Sequence, residues 1–180
     1  MKLIAFAASS SKHSINKQLA THAAQVLKAD IPQFLEIEIL DLNDYEMPIY
    51  SIDRENDSGI PALAQYFFEK IGSADAIIVS FASHNGSYAA AYKNIFDWAS
   101  RIDAKVFQGK PMVMLSTSPG AGGAKSVLES ACESAPHFNA DLRGSLSVPS
   151  FHDNFDKDSQ SLKQGELSDQ LRSELQKLKA

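Results

Sequence analysis

Three short polar stretches carry the residue types that suit a small ligand: residues 9–16, 83–88 and 116–123. The first has serines at 9, 10, 11 and 14, directly before a segment of helical pattern that begins at Ile15. A helix start offers free backbone N–H groups and the positive end of the helix dipole, which together favour a phosphate. The hydroxyls of Ser9, Ser11 and Ser14 and the Asn16 amide add neutral donors. The same serines serve equally well as a helix cap and solvated loop residues. The second stretch reads Ser83-His84-Asn85-Gly86-Ser87-Tyr88. Ser83, Asn85, Ser87 and the nearby amides suit the edge of a heterocycle, and His84 or Tyr88 suits its face. Gly86, lacking a Cβ, permits close backbone approach. In the third stretch, Ser116, Gly120, Gly122 and Gly123 either flank a ring from its other edge or form a flexible turn before a helix. A fourth segment, Met47-Pro48-Ile49-Tyr50, is either a wall beside that ligand or plain surface. Read together, these stretches point to one planar, phosphate-bearing ligand.

The absences narrow the chemistry. There is no Gly-x-x-x-x-Gly-Lys-Ser/Thr run for a nucleoside triphosphate and no Gly-x-Gly-x-x-Gly for a dinucleotide. Gly-x-Ser-x-Gly is missing, and no His/Asp spacing suggests an activated nucleophile. His84 has no evident carboxylate partner. Cys132 lies mid-helix as a small core residue. Acidic residues are scattered rather than clustered as for a metal. The reading is therefore no catalytic side chain and no metal. The reactivity would belong to a bound cofactor.

The elements that position these loops follow from periodicity. Apolar runs at 3–8, 76–82 and 112–116 read as strands buried on both faces. Residues 36–42 alternate with period two, as a wetter edge strand does, and 142–148 fit a fifth strand, also at an edge. Helical patterns cover 15–29, a segment opened by Pro61 with a stripe of Leu63, Tyr66, Phe67 and Ile71, and then 89–101 and 124–138. A last helix carries Leu167, Leu171, Leu175 and Leu178. Residues 43–58 and 149–160 read as irregular. The alternation predicts an α/β fold with a five-stranded parallel sheet of order 2-1-3-4-5 and helices on both faces, as one domain over 1–180. In that order the loops after strands 1, 3 and 4 lie side by side, and these are the three polar stretches above.

The chain has 180 residues, a net charge of −5 and no basic block, which argues against nucleic acid as a partner. One cysteine allows no internal disulfide. The N-terminus turns polar too soon for a signal peptide, and no apolar run reaches the ~20 residues of a membrane span. The expectation is a cytoplasmic protein without a membrane partner.

The segment Asn85-Gly86-Ser87-Tyr88 with Lys93-Asn94-Ile95-Phe96-Asp97-Trp98-Ala99-Ser100 resembles the Tyr-Asn-Gly-Ser-x-Pro…Lys-Asn-x-x-Asp-Trp-x-Ser signature of the NADPH-dependent FMN reductase family. These are flavodoxin-like oxidoreductases that include chromate, quinone and azo-dye reductases. Residues 9–16 and 116–123 are similar to that family's phosphate loop and third flavin loop. The resemblance implies a flavodoxin-like three-layer fold with non-covalent FMN. It implies phosphate contacts from Ser9, Ser11, Ser14, Ile15 and Asn16, and ring contacts from Ser83, His84, Asn85, Gly86 and Ser87. Ser116, Gly120, Gly122 and Gly123 would flank the flavin, with Pro48, Ile49 and Tyr50 beside it. It further implies NADPH or NADH as co-substrate, a small acceptor (quinone, azo compound, metal oxyanion or free flavin) and a ping-pong sequence. A homodimer or homotetramer is expected, with Trp98, Phe96, Ile102 and Phe107 giving an apolar surface. The chain departs from the pattern at Ala8, where the family often has Gly, and at three further places. Ser11 stands where the family often has Arg, Ser83-His84 replace Glu-Tyr, and Ala89-Ala90 replace the Pro region. The alternatives are a flavodoxin-like electron carrier with protein partners, whose usual first loop and strongly acidic face are missing here, and an α/β binding module without flavin.

Overall fold

A computed structural model describes residues 1–34 and 36–179. Five strands form one parallel sheet: β1 (Lys2–Ala8), β2 (Glu36–Leu40), β3 (Ala76–Phe81), β4 (Pro111–Thr117) and β5 (Asp141–Val148). Their spatial order is β2-β1-β3-β4-β5, as the alternation predicts. The chain reverses its direction of winding between β1 and β3, so their C-terminal ends open a crevice.

The central strands β1, β3 and β4 are buried nearly throughout, because helices cover both faces. Pleating sends alternate residues to opposite sides. Ile4, Phe6 and Ala8 share one core with inward residues of α3 (Ala62–Ser73), α4 (Ala90–Ile102) and α5 (Lys125–Ser134). Leu3 and Ala5 share the other with α1 (Ile15–Asp30) and α7 (Glu166–Gln176). Sequence runs that look featurelessly apolar are therefore two interleaved half-patterns, one for each core. The edge strands β2 and β5 are only partly covered.

Several expectations needed correction. Residues 43–58 are not irregular: a 3-10 turn (Leu42–Tyr45) leads to α2 (Ile52–Ser58). Ser51 Oγ accepts from Arg54 N at 3.2 Å, Asp53 and Glu55 lie in the first turn, and Gly59 ends the helix at φ 74°. No residue of α2 is buried, so it has no apolar stripe to read. In α3 the inward face is Ala64, Phe67 and Ile71, while Leu63 and Tyr66 are exposed. The helix beginning near 124 ends at Ser134, and Pro136 lies in the 3-10 turn that follows it (Ala135–Phe138). Residues 149–160 contain α6 (Phe151–Asn154) and β6 (Phe155–Asp156), the latter paired antiparallel with β7 (Ser161–Leu162). Phe151 and Phe155 stack at 4.6 Å and are buried. Of the aromatic surface expected near α4, Trp98 is 1% exposed and Phe107 3%, while Phe96 and Ile102 are half-buried. No helix among the described residues is long and apolar enough to cross a membrane.

Candidate functional site

The loop after β1 curls tightly before α1. Ser11 N donates to Ser9 Oγ at 3.2 Å, and Ser14 N to Ser11 O at 3.2 Å. Ser14 is the N-cap, its Oγ accepting from Lys17 N at 3.2 Å. The first N–H groups of a helix have no acceptor within it. Those of Ile15 and Asn16 make no hydrogen bond among the described residues. Ser14 Oγ, while accepting from the backbone, still has its own proton to donate.

This loop meets the loops after β3 and β4. Ser9, Ser11, Ser14, Ile15 and Asn16 share one cleft with Ser83 and His84 and with Thr117, Ser118 and Pro119. No carboxylate is among its lining residues. The nearest basic side chain in α1, Lys17, pairs instead with Asp41 at 2.5 Å and holds that carboxyl below its usual range. Backbone amides and the dipole of α1 thus supply positive field to the cleft, which His13 also lines.

Asn16 has an additional role. Its side chain is buried, and Oδ1 accepts from Ser80 Oγ at 2.8 Å and Thr117 N at 3.1 Å. Its Nδ2 donates to Thr117 O at 3.1 Å. The amide therefore ties α1 to β3 and β4, while its backbone N–H makes no hydrogen bond among the described residues. Sequence reasoning placed this side chain on a ligand because an Asn at a helix start offers donors. Nothing local to that segment shows that its partners lie 64 and 101 residues away.

Residues 84–87 form a two-residue reverse turn. His84 N donates to Ser87 O at 2.9 Å, and Ser87 N to His84 O at 3.1 Å. Asn85 at φ 52° and Gly86 at φ 77° supply the two positive φ values of a type I′ turn, which explains the Asn-Gly pair. A Cβ on Gly86 would meet nothing within 4 Å. The turn projects with Ser83 to Ser87 exposed at the rim of the cleft. Tyr88 does not cover it. It turns inward, half-buried, to lie 5.8 Å from Phe81 and 5.5 Å from Tyr92 between ring centroids.

The loop after β4 divides in two. Ser118 and Pro119 line the cleft, and Gly120 and Gly122 are exposed beyond it. Ser116 lies beneath, fully buried, donating to Gly123 O at 2.7 Å. Gly123 is buried too and accepts a second bond from Ser147 Oγ at 3.0 Å. Ser116 and Gly123 therefore clamp the loop onto β5. Thr117, Ser118, Pro119 and Ala82 line the cleft without having been singled out. β4 runs to Thr117, which pairs with Val148 of β5 one residue past the last β3–β4 pair at Ser116, and that strand end is the signal that would have found the first three.

Met47 to Tyr50 runs along α4. Asn94 Nδ2 donates to Met47 O and Pro48 O, each at 3.1 Å, and its Oδ1 accepts from Tyr50 N at 2.8 Å. Trp98 Nε1 donates to Pro48 O at 2.7 Å. Tyr50 stands edge-on to Trp98 at 4.9 Å and bonds Glu55, so its ring is held against α4. Ile49 is 74% exposed and, with Met47, lines a second hollow that Ser10 joins to the phosphate-type loop. Pro48 and Tyr50 do not line the main cleft. Among the described residues there is no group of His, Cys, Asp and Glu fit to hold a metal.

The family model for NADPH-dependent FMN reductase matches residues 1–153. A 2-hydroxy-1,4-benzoquinone reductase from a Burkholderia species is 32% identical over 136 residues, 73% of this chain and 70% of that protein. An NADPH:quinone oxidoreductase from Arabidopsis thaliana is 32% identical over 126 residues, 70% of this chain but only 62% of the plant protein's length. Among solved structures, the flavoenzyme NAD(P)H:(acceptor) oxidoreductase from Paracoccus denitrificans superposes with a TM-score of 0.78. That match covers 98% of this chain and 94% of that one at 22% identity, a likeness of fold.

Proposed function

The chain belongs to the NADPH-dependent FMN reductase family, and on that premise we propose that it holds FMN non-covalently in the cleft and acts as an NAD(P)H-dependent oxidoreductase on a small acceptor of the quinone type. The observation that carries this reading is the convergence of three loops at the switch point, with two free helix N–H groups and no carboxylate. A phosphate fits the hydroxyls of Ser9, Ser11 and Ser14 and the N–H groups of Ile15 and Asn16. The N–H groups of Asn85 and Gly86, at the tip of the turn, make no hydrogen bond among the described residues. They suit the polar edge of a flat ring lying across the rim. When bound, FMN supplies two-electron chemistry, receiving a hydride from NAD(P)H and delivering two electrons to the acceptor in a separate half-reaction.

The chain's own residues bind and orient. Ser118 and Pro119 bound the cleft on one side and the 83–87 turn on another. Donor and acceptor use the same exposed side of that turn one after the other, the order that ping-pong kinetics would report. The quinone class is supported by the names of the Burkholderia and Arabidopsis relatives. The test is an FMN titration followed by mixing with NADPH and NADH under anaerobic conditions, then steady-state turnover with a quinone. Flavin uptake, bleaching of the bound flavin and parallel double-reciprocal plots are expected. A protein that takes up no FMN, or whose bound FMN oxidises neither nucleotide with any quinone, ferricyanide or azo acceptor, would refute the proposal.

A further inference from the structure

A further cavity, of about 210 Å³, lies between α4 and α5. Six rings wall it: Phe81, Tyr88, Tyr92, Phe96, Phe107 and Phe138. They brace one another, with Phe81 and Tyr92 perpendicular at 5.4 Å and Phe96 and Phe138 edge-to-face at 4.7 Å. Such walls present ring faces and edges that another aromatic ring meets favourably. An apolar cavity of ~150 Å³ already admits benzene, so this one has room for a fused or substituted ring. Its rim is polar, carrying the Lys93–Asp97 ion pair and the exposed Ser130.

Of the hydroxyl-bearing residues in its lining, Tyr92 is the buried one, with Tyr88, Ser100 and Ser134 half-buried. Tyr92 is 5% exposed, and its hydroxyl makes no hydrogen bond among the described residues. No fully enclosed side-chain polar atom lacks a partner among them, so this hydroxyl keeps its small residual access, and the space beside it is the cavity. The hydroxyl is thus a donor open to that space, and a ligand's acceptor can take it up there. Burial raises the phenol's pKa far above its ordinary value, which keeps the proton on the oxygen as a donor at neutral pH.

We infer that the α4–α5 cavity is a binding site for a small planar aromatic carbonyl compound, with its ring among the phenyl walls and its carbonyl oxygen accepting from the Tyr92 hydroxyl. The inference does not rest on the flavin reading, because the cavity shares no lining residue with the cleft. The probe is 1-tetralone, an aromatic ketone without a quinone's redox chemistry, and the comparator is tetralin, the same ring system without the carbonyl. Both are titrated by NMR into the purified 180-residue chain, with FMN added to saturation when the protein takes it up. Tetralone is expected to shift the resonances of Tyr92, Phe96 and Ala131. Tyr92→Phe should weaken tetralone about tenfold, the worth of one buried hydrogen bond, and leave tetralin unchanged. Ser130→Trp, a substitution at an exposed rim position, should block both ligands while the circular dichroism spectrum stays native. Four results would overturn the inference: no tetralone binding, shifts confined to residues 83–87, equal weakening of both ligands by Tyr92→Phe, or exclusion of tetralone by self-association that protects Tyr92 and is seen by light scattering.

Discussion

Asn16→Ala separates two jobs open to the same residue, holding a ligand and holding the fold. The structure assigns the side chain to the fold, with two accepted bonds and one donated bond, all buried. Removing the amide leaves Thr117 N–H, Thr117 C=O and the Ser80 hydroxyl without partners, and Ser80 and Thr117 are 0% and 1% exposed. A buried polar group stranded in this way costs ~1–3 kcal/mol, with carbonyls and rotatable hydroxyls toward the lower end. The three are neighbours, so their costs do not simply add. The expected loss is ~3 kcal/mol, or roughly 6–12 °C in Tm for a domain of this size. Urea unfolding of the cofactor-free protein, followed by circular dichroism, measures it. The double variant with Ser80→Ala should lose less than the sum of the two single variants, because the second change removes a group that the first had stranded. A loss below ~1 kcal/mol for Asn16→Ala, with the midpoint moved and the urea dependence unchanged, would refute the reasoning and return the side chain to the ligand.

Gly123→Ala and Gly86→Ala should part company. Both glycines have positive φ, but a Cβ on Gly123 would stand 2.4 Å from Ser147 Oγ and 3.1 Å from Pro149 N, whereas one on Gly86 meets open space. Urea unfolding should show a loss of ~1 kcal/mol for Gly86→Ala, from backbone conformation alone, and at least about twice that for Gly123→Ala; equal losses would contradict the clamp. Thermal unfolding across pH checks a third point, at His22. Its Nε2 accepts from Leu162 N at 3.3 Å, and burial, with Arg172 nearby, lowers its pKa. The folded state thus disfavours the proton, so this contribution to stability is complete above the unfolded value of ~6.5 and falls as pH drops below it; His22→Leu should flatten that part of the profile.

The sheet order was legible because each strand and crossover announces itself locally. Residues 3–8, 76–81 and 112–116 are apolar on both faces of the pleat, and one edge strand, 36–40, alternates. Right-handed crossovers then leave few topologies. The segments that were misread lack such signals. α2 buries nothing. In α3, Leu63 and Tyr66 are apolar residues on an exposed face, and composition alone does not tell them from Phe67. Phe151 and Phe155 sit in a polar stretch, and their packing partner is each other together with residues of the distant α1 and α7 side of the core.

The site shows the same division more sharply. Which loops converge was readable, because convergence follows from strand order. Which atoms face the cleft was not, because that depends on long-range hydrogen bonds. The polar residues of these motifs divide between lining the cleft and holding the segments around it. Asn16, Ser116, Asn94 and Trp98 do the second, each spending its side-chain donors or acceptors on the backbone of another segment. The Lys-Asn-x-x-Asp-Trp stretch thereby acquires a physical reason. Asn94 and Trp98 stand one helical turn apart on the same face of α4, and between them they fix both carbonyls of Met47 and Pro48 and the N–H of Tyr50. Lys93 and Asp97, in register one residue earlier, pair with each other on the neighbouring face, at the rim of the aromatic cavity. One four-residue spacing read twice along one helix therefore serves two surfaces. The first braces the segment beside the cleft, and the second borders a pocket that the cleft does not use.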